Sequence, residues 1–263
     1  MVYLSVALKS FSRNLAYRSE VWLRVVGNLV TIFIQISIWK ALLSSSAVDG
    51  TGTSLQDMVT YSIVSTLVVS VLMTQVFREV DNKINDGNIA VDLLKPIYFP
   101  LILFSQQLGN VLFNLIFTVM PSLIIAWMLF DIRFPDDPKY WLMFAFSILL
   151  ALGISFLLGY LIGLVAFWFL TTFAVEWTVM ALVLVFSGSF LPLWFFSGVW
   201  RTMAENLPFQ YLGYVPSAIF AEKLELEKAL YCLGLGSLWT IGLLFLVWVL
   251  WTKAIKNLTV QGG

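Results

Sequence analysis

The sequence contains no histidine and a single cysteine, Cys232, and only 11% of its 263 residues are charged. Without histidine the chain has neither the commonest general base nor the commonest metal ligand. One cysteine forbids an intrachain disulfide and leaves the redox compartment open; Cys232 reads as a small packing residue. Lys+Arg and Asp+Glu number 15 each, so no basic excess points to nucleic acid and no acidic tail points to disorder. No GxxxxGK[ST] phosphate loop occurs, so the chain does not hydrolyse nucleotide by that route. What it has in abundance is apolar surface, 60% of residues, against about half in soluble domains. A soluble surface must stay largely charged, whereas a bilayer absorbs the excess.

A hydrocarbon core about 30 Å thick takes roughly 20 apolar residues of helix. Six stretches qualify, at about 23–43, 57–77, 101–130, 140–170, 176–200 and 229–252. No soluble domain fits between them, so residues 1–263 read as a single all-α integral membrane domain. Small residues after the first stretch, Ser44 to Ala47, imitate a cleavage site weakly. The stretch is expected to be a retained first span. Ahead of it, Val2, Leu4, Val6, Leu8, Phe11, Leu15 and Tyr17 alternate with Lys9, Arg13 and Arg18. That pattern fits an interfacial helix lying at the membrane surface or a plain basic flank of the first span.

With six spans both termini share a side. That side carries Lys9, Arg13, Arg18, Arg24, Arg78, Lys83, Lys95, Lys253 and Lys256, against Lys40, Arg133, Lys139, Arg201, Lys223 and Lys228 opposite. The basic bias places both termini in the cytoplasm. The connection from Arg78 to Pro96 is then cytoplasmic. The connection before the last span is external, and it is dense in aromatics and proline: Leu191, Pro192, Trp194, Phe195, Phe196, Trp200, Pro208, Phe209, Tyr211, Tyr214 and Pro216. It is expected to dip into the outer leaflet as a re-entrant segment, its rings at the headgroup interface.

Ionisable residues sit only at span margins, as at Lys40, Asp57, Glu176 and Arg201. Ion-coupled carriers and proton pumps need such groups within the spans, and an intramembrane aspartyl protease needs paired aspartates there. No catalytic or metal site is expected. The external carboxylates Asp131, Asp136 and Asp137 read as a solvated loop, and Ser187-Gly188-Ser189 lacks a base. In the third span Gln106, Asn110, Asn114 and Thr118 recur every four residues and share one helix face. That face either lines a substrate cavity or dimer seam, or serves as helix–helix glue. Gly159 and Gly163 form a G-x-x-x-G for close packing, with Gly153 upstream. Pro121 and Pro192 are expected to kink or end helices.

The segment Ile84-Asn85-Asp86-Gly87, then Leu93-Leu94-Lys95-Pro96, with Ile89 and Val91 between, resembles the stretch after the second span of ABC-2 type ABC transporter permeases. The likeness extends to Phe190–Ser197, to Leu207–Pro216 and to the terminal Val260-Gln261-Gly262-Gly263. It departs at Phe196-Ser197-Gly198, where the family pattern has a proline near the turn. The resemblance implies the permease subunit of an ABC exporter in the inner (plasma) membrane. It implies a second permease, identical or related, and two ATP-hydrolysing subunits that carry ATP and Mg. It also implies that Ile84 to Gly87 and Leu93 to Pro96 form a cytoplasmic coupling helix. The cargo class it implies is amphipathic: drug, antibiotic, peptide, lipid or glycan. A membrane-embedded lipid-modifying enzyme and a structural scaffold are the competing readings.

Overall fold

The computed structural model describes residues 2–16, 18–44, 53–72, 76–169 and 172–256. The terminal motif at 260–263, Tyr17 and the small residues 45–47 lie outside them. Every regular element among the described residues is helical. In order these are α1 (Val2–Asn14), α2 (Arg18–Ser44), α3 (Leu55–Leu72), α4 (Val76–Asn85), α5 (Asn88–Leu93), α6 (Phe99–Asn114), α7 (Met120–Leu129), α8 (Pro138–Leu164), α9 (Phe173–Phe186), α10 (Gly198–Asn206), α11 (Tyr214–Phe220) and α12 (Leu226–Lys256).

Among the described residues five stretches are long and apolar enough to cross a membrane: Glu20–Ser44, Leu55–Asn85 (running over 73–75, outside the described residues), Phe99–Leu129, Pro138–Phe167 and Leu226–Ile255. They overlap five of the six expected spans, four of them within three residues at each end, while the second runs on to Asn85 where 57–77 was expected. The sixth, 176–200, is not one helix. α9 has 14 residues, about 21 Å at 1.5 Å per residue, and it stops where Gly188 takes φ +69°, a conformation that costs a side-chain-bearing residue but not glycine.

Local chemistry explains several boundaries. Ser54 and Asp57 form a reciprocal cap at the start of α3: Asp57 N donates to Ser54 Oγ at 3.1 Å and Ser54 N donates to Asp57 Oδ2 at 2.9 Å. α8 starts at Asp137, whose carboxylate accepts from Lys139 N at 2.9 Å, with Pro138 in the first turn. Pro121 does not end the third span, which continues to Leu129. Its missing N–H removes the α-helical donor to Phe117 O, and the ladder crosses this point as a π-turn, Leu115–Val119, with Met120 N donating to Leu115 O.

The centre of the bundle is α3, buried along almost its whole length, packed between α2, α8 and α11. α8 also carries α12 and α4. Gly163 is what lets α4 approach: a Cβ there would lie 2.6 Å from Val80 Cβ and 3.2 Å from Phe77 O. At Gly236 of α12 a Cβ would lie 2.6 Å from a ring carbon of Tyr211.

The segment before the last span is buried more deeply than an interfacial belt requires. Phe209, Tyr211, Leu212 and all of α11 are buried, wedged against α3 and α8. Tyr61 OH donates to Gly188 O at 2.6 Å, Ser65 Oγ to Ser189 O at 2.8 Å, and Tyr214 N to Ser187 O at 2.7 Å. The 187–189 bend is thus clamped by α3 and α11. The expectation of interfacial aromatics fails for Phe209, Tyr211 and Tyr214 because their hydroxyls and rings find partners inside the bundle, as with Tyr211 OH to Cys232 O at 2.7 Å. Phe190, Leu191, Val199 and Trp200 remain exposed.

Candidate functional site

The chain reverses direction at a tip built from α4 and α5. α4 is amphipathic, with Val76, Phe77 and Val80 buried and polar side chains on the opposite face. It ends where Gly87 adopts φ +71°. A Cβ added there would meet nothing within 4 Å, so the requirement for glycine is conformational, not steric. α5 follows at once. Its Ile89 and Asp92 turn inward, while Val91 and Leu94 are 57% and 86% exposed.

Asp92 fastens the tip. Its carboxylate accepts from Lys83 Nζ at 2.5 Å and from Lys95 Nζ at 2.6 Å, and Lys83 lies over the Phe99 ring, 5.3 Å from its centroid. Burial works to raise the Asp92 carboxyl, but the two ammonium groups outweigh it and hold it below the usual carboxylate range. One acid therefore ties together α4, α5 and the turn leading to α6. A second acid between two cations stands in the segment before the last span. Glu205 Oε1 accepts from Arg201 Nε at 3.1 Å and Lys228 Nζ at 3.0 Å, and despite its burial that carboxyl is also held low.

The eight residues expected to form the coupling element divide in two. Asn85, Asp86, Gly87, Leu94, Lys95 and Pro96 are exposed. Ile84 and Leu93 are half-buried and pack on the bundle core. Val91 joins Leu94 on the open side, an i, i+3 pair on one helix face.

The polar face of the third span is occupied within the chain. Asn110 Oδ1 accepts from Asn14 Nδ2 at 2.8 Å and Ser10 Oγ at 3.2 Å, and Asn114 Oδ1 accepts from Arg24 Nη1 at 3.1 Å. Gln106, with its amide nitrogen turned toward the carboxylate, donates to Glu79 Oε1 at 2.8 Å. Thr118 is buried, and its hydroxyl makes no bond to another described residue. The partners Ser10, Asn14 and Arg24 come from α1 and α2, so α1 is a separate helix docked on α6. Gly109 permits that docking: a Cβ there would stand 2.9 Å from Ser10 Cβ. This geometry is that of helix–helix glue for three of the four residues.

Chemistry is sparse elsewhere. Asp137 caps α8 and Asp136 lies 3.6 Å from Arg133. Among the described residues no group of three His, Cys, Asp or Glu side chains gathers as a metal site. A family model described as ABC-2 family transporter protein matches residues 28–262. No curated protein matches the chain.

Proposed function

The chain belongs to the ABC-2 family of transporter proteins, and on that premise we propose that it is the permease subunit of an exporter driven by ATP hydrolysis on partner subunits. In this reading two permeases, like or unlike, sit on two ATPases that carry ATP and Mg. Both termini and the α4–α5 tip face the cytoplasm of the plasma membrane, and α9 completes a set of six spans together with the residues around it. The cargo is amphipathic.

One observation carries the proposal: Val91 and Leu94 stand exposed on a short helix at the end of the bundle, beyond the spans, with Asn85, Asp86 and Lys95 around them. Apolar side chains in water are ordinary when they occur singly, but here they cap a tip held rigid by Asp92, Lys83 and Lys95. A rigid apolar centre rimmed by charge is the anatomy of a protein interface. Of the four residues on the third-span polar face, Thr118 alone keeps an unused buried hydroxyl. In this proposal the seam with the second permease draws on the exposed apolar faces of the bundle.

A photo-crosslinker placed at Val91 in native membranes is expected to capture a subunit that an ATP photoaffinity analogue also labels. The same crosslinker at Lys139 should not, and cysteines at Lys9 and Lys139 should react with impermeant reagent from opposite sides. Capture of the nucleotide-binding subunit from Lys139, or labelling of both cysteines from one side, would sink the orientation.

A further inference from the structure

A cavity of about 380 Å³ lies between the α1–α2 elbow and the π-turn of the third span, lined by Leu15, Val21, Trp22, Phe113, Phe117 and Pro121. Its floor is the ring pair Phe113 and Phe117, 4.9 Å apart, with Phe11 packed behind them at 5.8 and 6.2 Å. The π-turn at Leu115–Val119 shifts the register of Phe117 and Pro121 relative to Phe113. Among the described lining side chains only the Trp22 indole offers a polar group, too few for the two to four polar partners that an ordered water needs. An empty space of this size forfeits dispersion contacts on all its walls. The occupant must be apolar where it fills the cavity.

The rim is different. Arg24 stands one turn beyond Val21, and its guanidinium donates to Asn114, the residue after the floor residue Phe113. Its other partner, Glu20, is 3.6 Å away, and both side chains are about half exposed, so that ion pair is weak and leaves donors for another anion. Outside the mouth, Leu4 and Leu8 of α1 and Trp22, Leu23 and Val26 of α2 are exposed, a lipid-facing surface on both flanks. A tryptophan at such a mouth suits headgroup depth.

We propose that this cavity binds one anionic phospholipid of the leaflet in which α1 lies, an acyl chain filling the aromatic-floored cavity and the phosphate on Arg24. The inference rests on the chain being a membrane protein and not on its having an ATPase partner. The bound lipid would hold α1 against the π-turn, the one irregular stretch of the third span.

The test uses the full chain in proteoliposomes with phosphatidylglycerol or phosphatidylcholine carrying the same photoactivatable acyl chain. Phosphatidylglycerol should label Val21, Phe113 or Phe117 about tenfold more than phosphatidylcholine does, because the choline ammonium of the latter offsets the phosphate charge that Arg24 meets. Val21→Trp, which fills the cavity, should abolish labelling there while labelling at Leu238 and Leu244 of α12 continues. Arg24→Gln removes the charge but keeps an amide N–H able to donate to Asn114, and it should remove the preference for the anionic lipid while chain labelling persists. Equal labelling by the two lipids in the native chain would mean ordinary boundary lipid and overturn the proposal. So would a preference that survives Arg24→Gln, or cavity labelling unchanged in a folded Val21→Trp protein.

Discussion

Replacing Val91 and Leu94 together with aspartate is expected to leave the permease folded and membrane-inserted while lowering ATPase association by roughly 30-fold or more and removing substrate-dependent ATP hydrolysis. The first half follows from exposure. Both side chains point away from the bundle, and surface substitutions that disturb no buried partner usually change stability by less than about 0.5 kcal/mol. The second half follows from what a partner would lose. Apolar anchors at the centre of an interface contribute about 2 kcal/mol or more each, and a carboxylate in their place would have to be desolvated without a counter-charge. Leu93→Asp is the contrasting control. Leu93 packs on the core, so its replacement should destabilise the tip itself and lower the yield of folded protein. Co-purification and hydrolysis rates measured for these variants separate the two effects. Wild-type ATPase binding in the Val91/Leu94 double variant would remove the tip from the coupling role.

Adding a single methyl group at Gly163 should be nearly as damaging, for a different reason. In Gly163→Ala the new Cβ would stand 2.6 Å from Val80 Cβ. That atom is bonded to the backbone and cannot swing aside, so α4 must move off α8. Overpacking of this kind costs about 1–3 kcal/mol, and because α4 carries the tip, coupling should fail along with stability. Val80→Gly removes the obstructing atom. On its own it should destabilise, since glycine in a helix costs about 1 kcal/mol relative to alanine and a buried valine is lost. Combined with Gly163→Ala, it should cost less than the sum of the two single changes, a favourable coupling of about 1 kcal/mol readable in thermal unfolding. Strict additivity would mean that Gly163 does not seat α4.

How much of this could be read from residues alone depended on whether a signal was local. The long apolar runs located five spans closely, because crossing a bilayer demands length and hydropathy and little else. The 176–200 run looked continuous for the same reason. The bend that interrupts it comes from Gly188 accepting from Tyr61 and from Tyr214 closing on Ser187, contacts distant in sequence. The aromatics before the last span looked interfacial because composition cannot distinguish an exposed ring, such as Trp200, from one enclosed by α3 and α8, such as Tyr214. The four-residue spacing of Gln106, Asn110 and Asn114 reads as one helix face. That α1 and α2 meet Asn110 and Asn114 through Ser10, Asn14 and Arg24, and α4 meets Gln106 through Glu79, required three dimensions. At the tip, the turn at Gly87 and the stop at Pro96 were legible as local backbone chemistry. The division of Leu93 inward and Leu94 outward was not, since α5 is a single short turn-and-a-half whose facing is set by Asp92 and its two lysines.

Whether this chain is one part of an ATP-driven machine is decided most directly by the mass and ATP hydrolysis of the complex that purifies on a tag attached to it, extracted gently from native membranes. The expected particle holds two permeases and two ATPase subunits, hydrolyses ATP with Mg, and loses its ATPase subunits in the Val91/Leu94 double variant. A stable particle containing this chain alone, with no nucleotide hydrolysis and no change on altering the tip, would contradict the assignment.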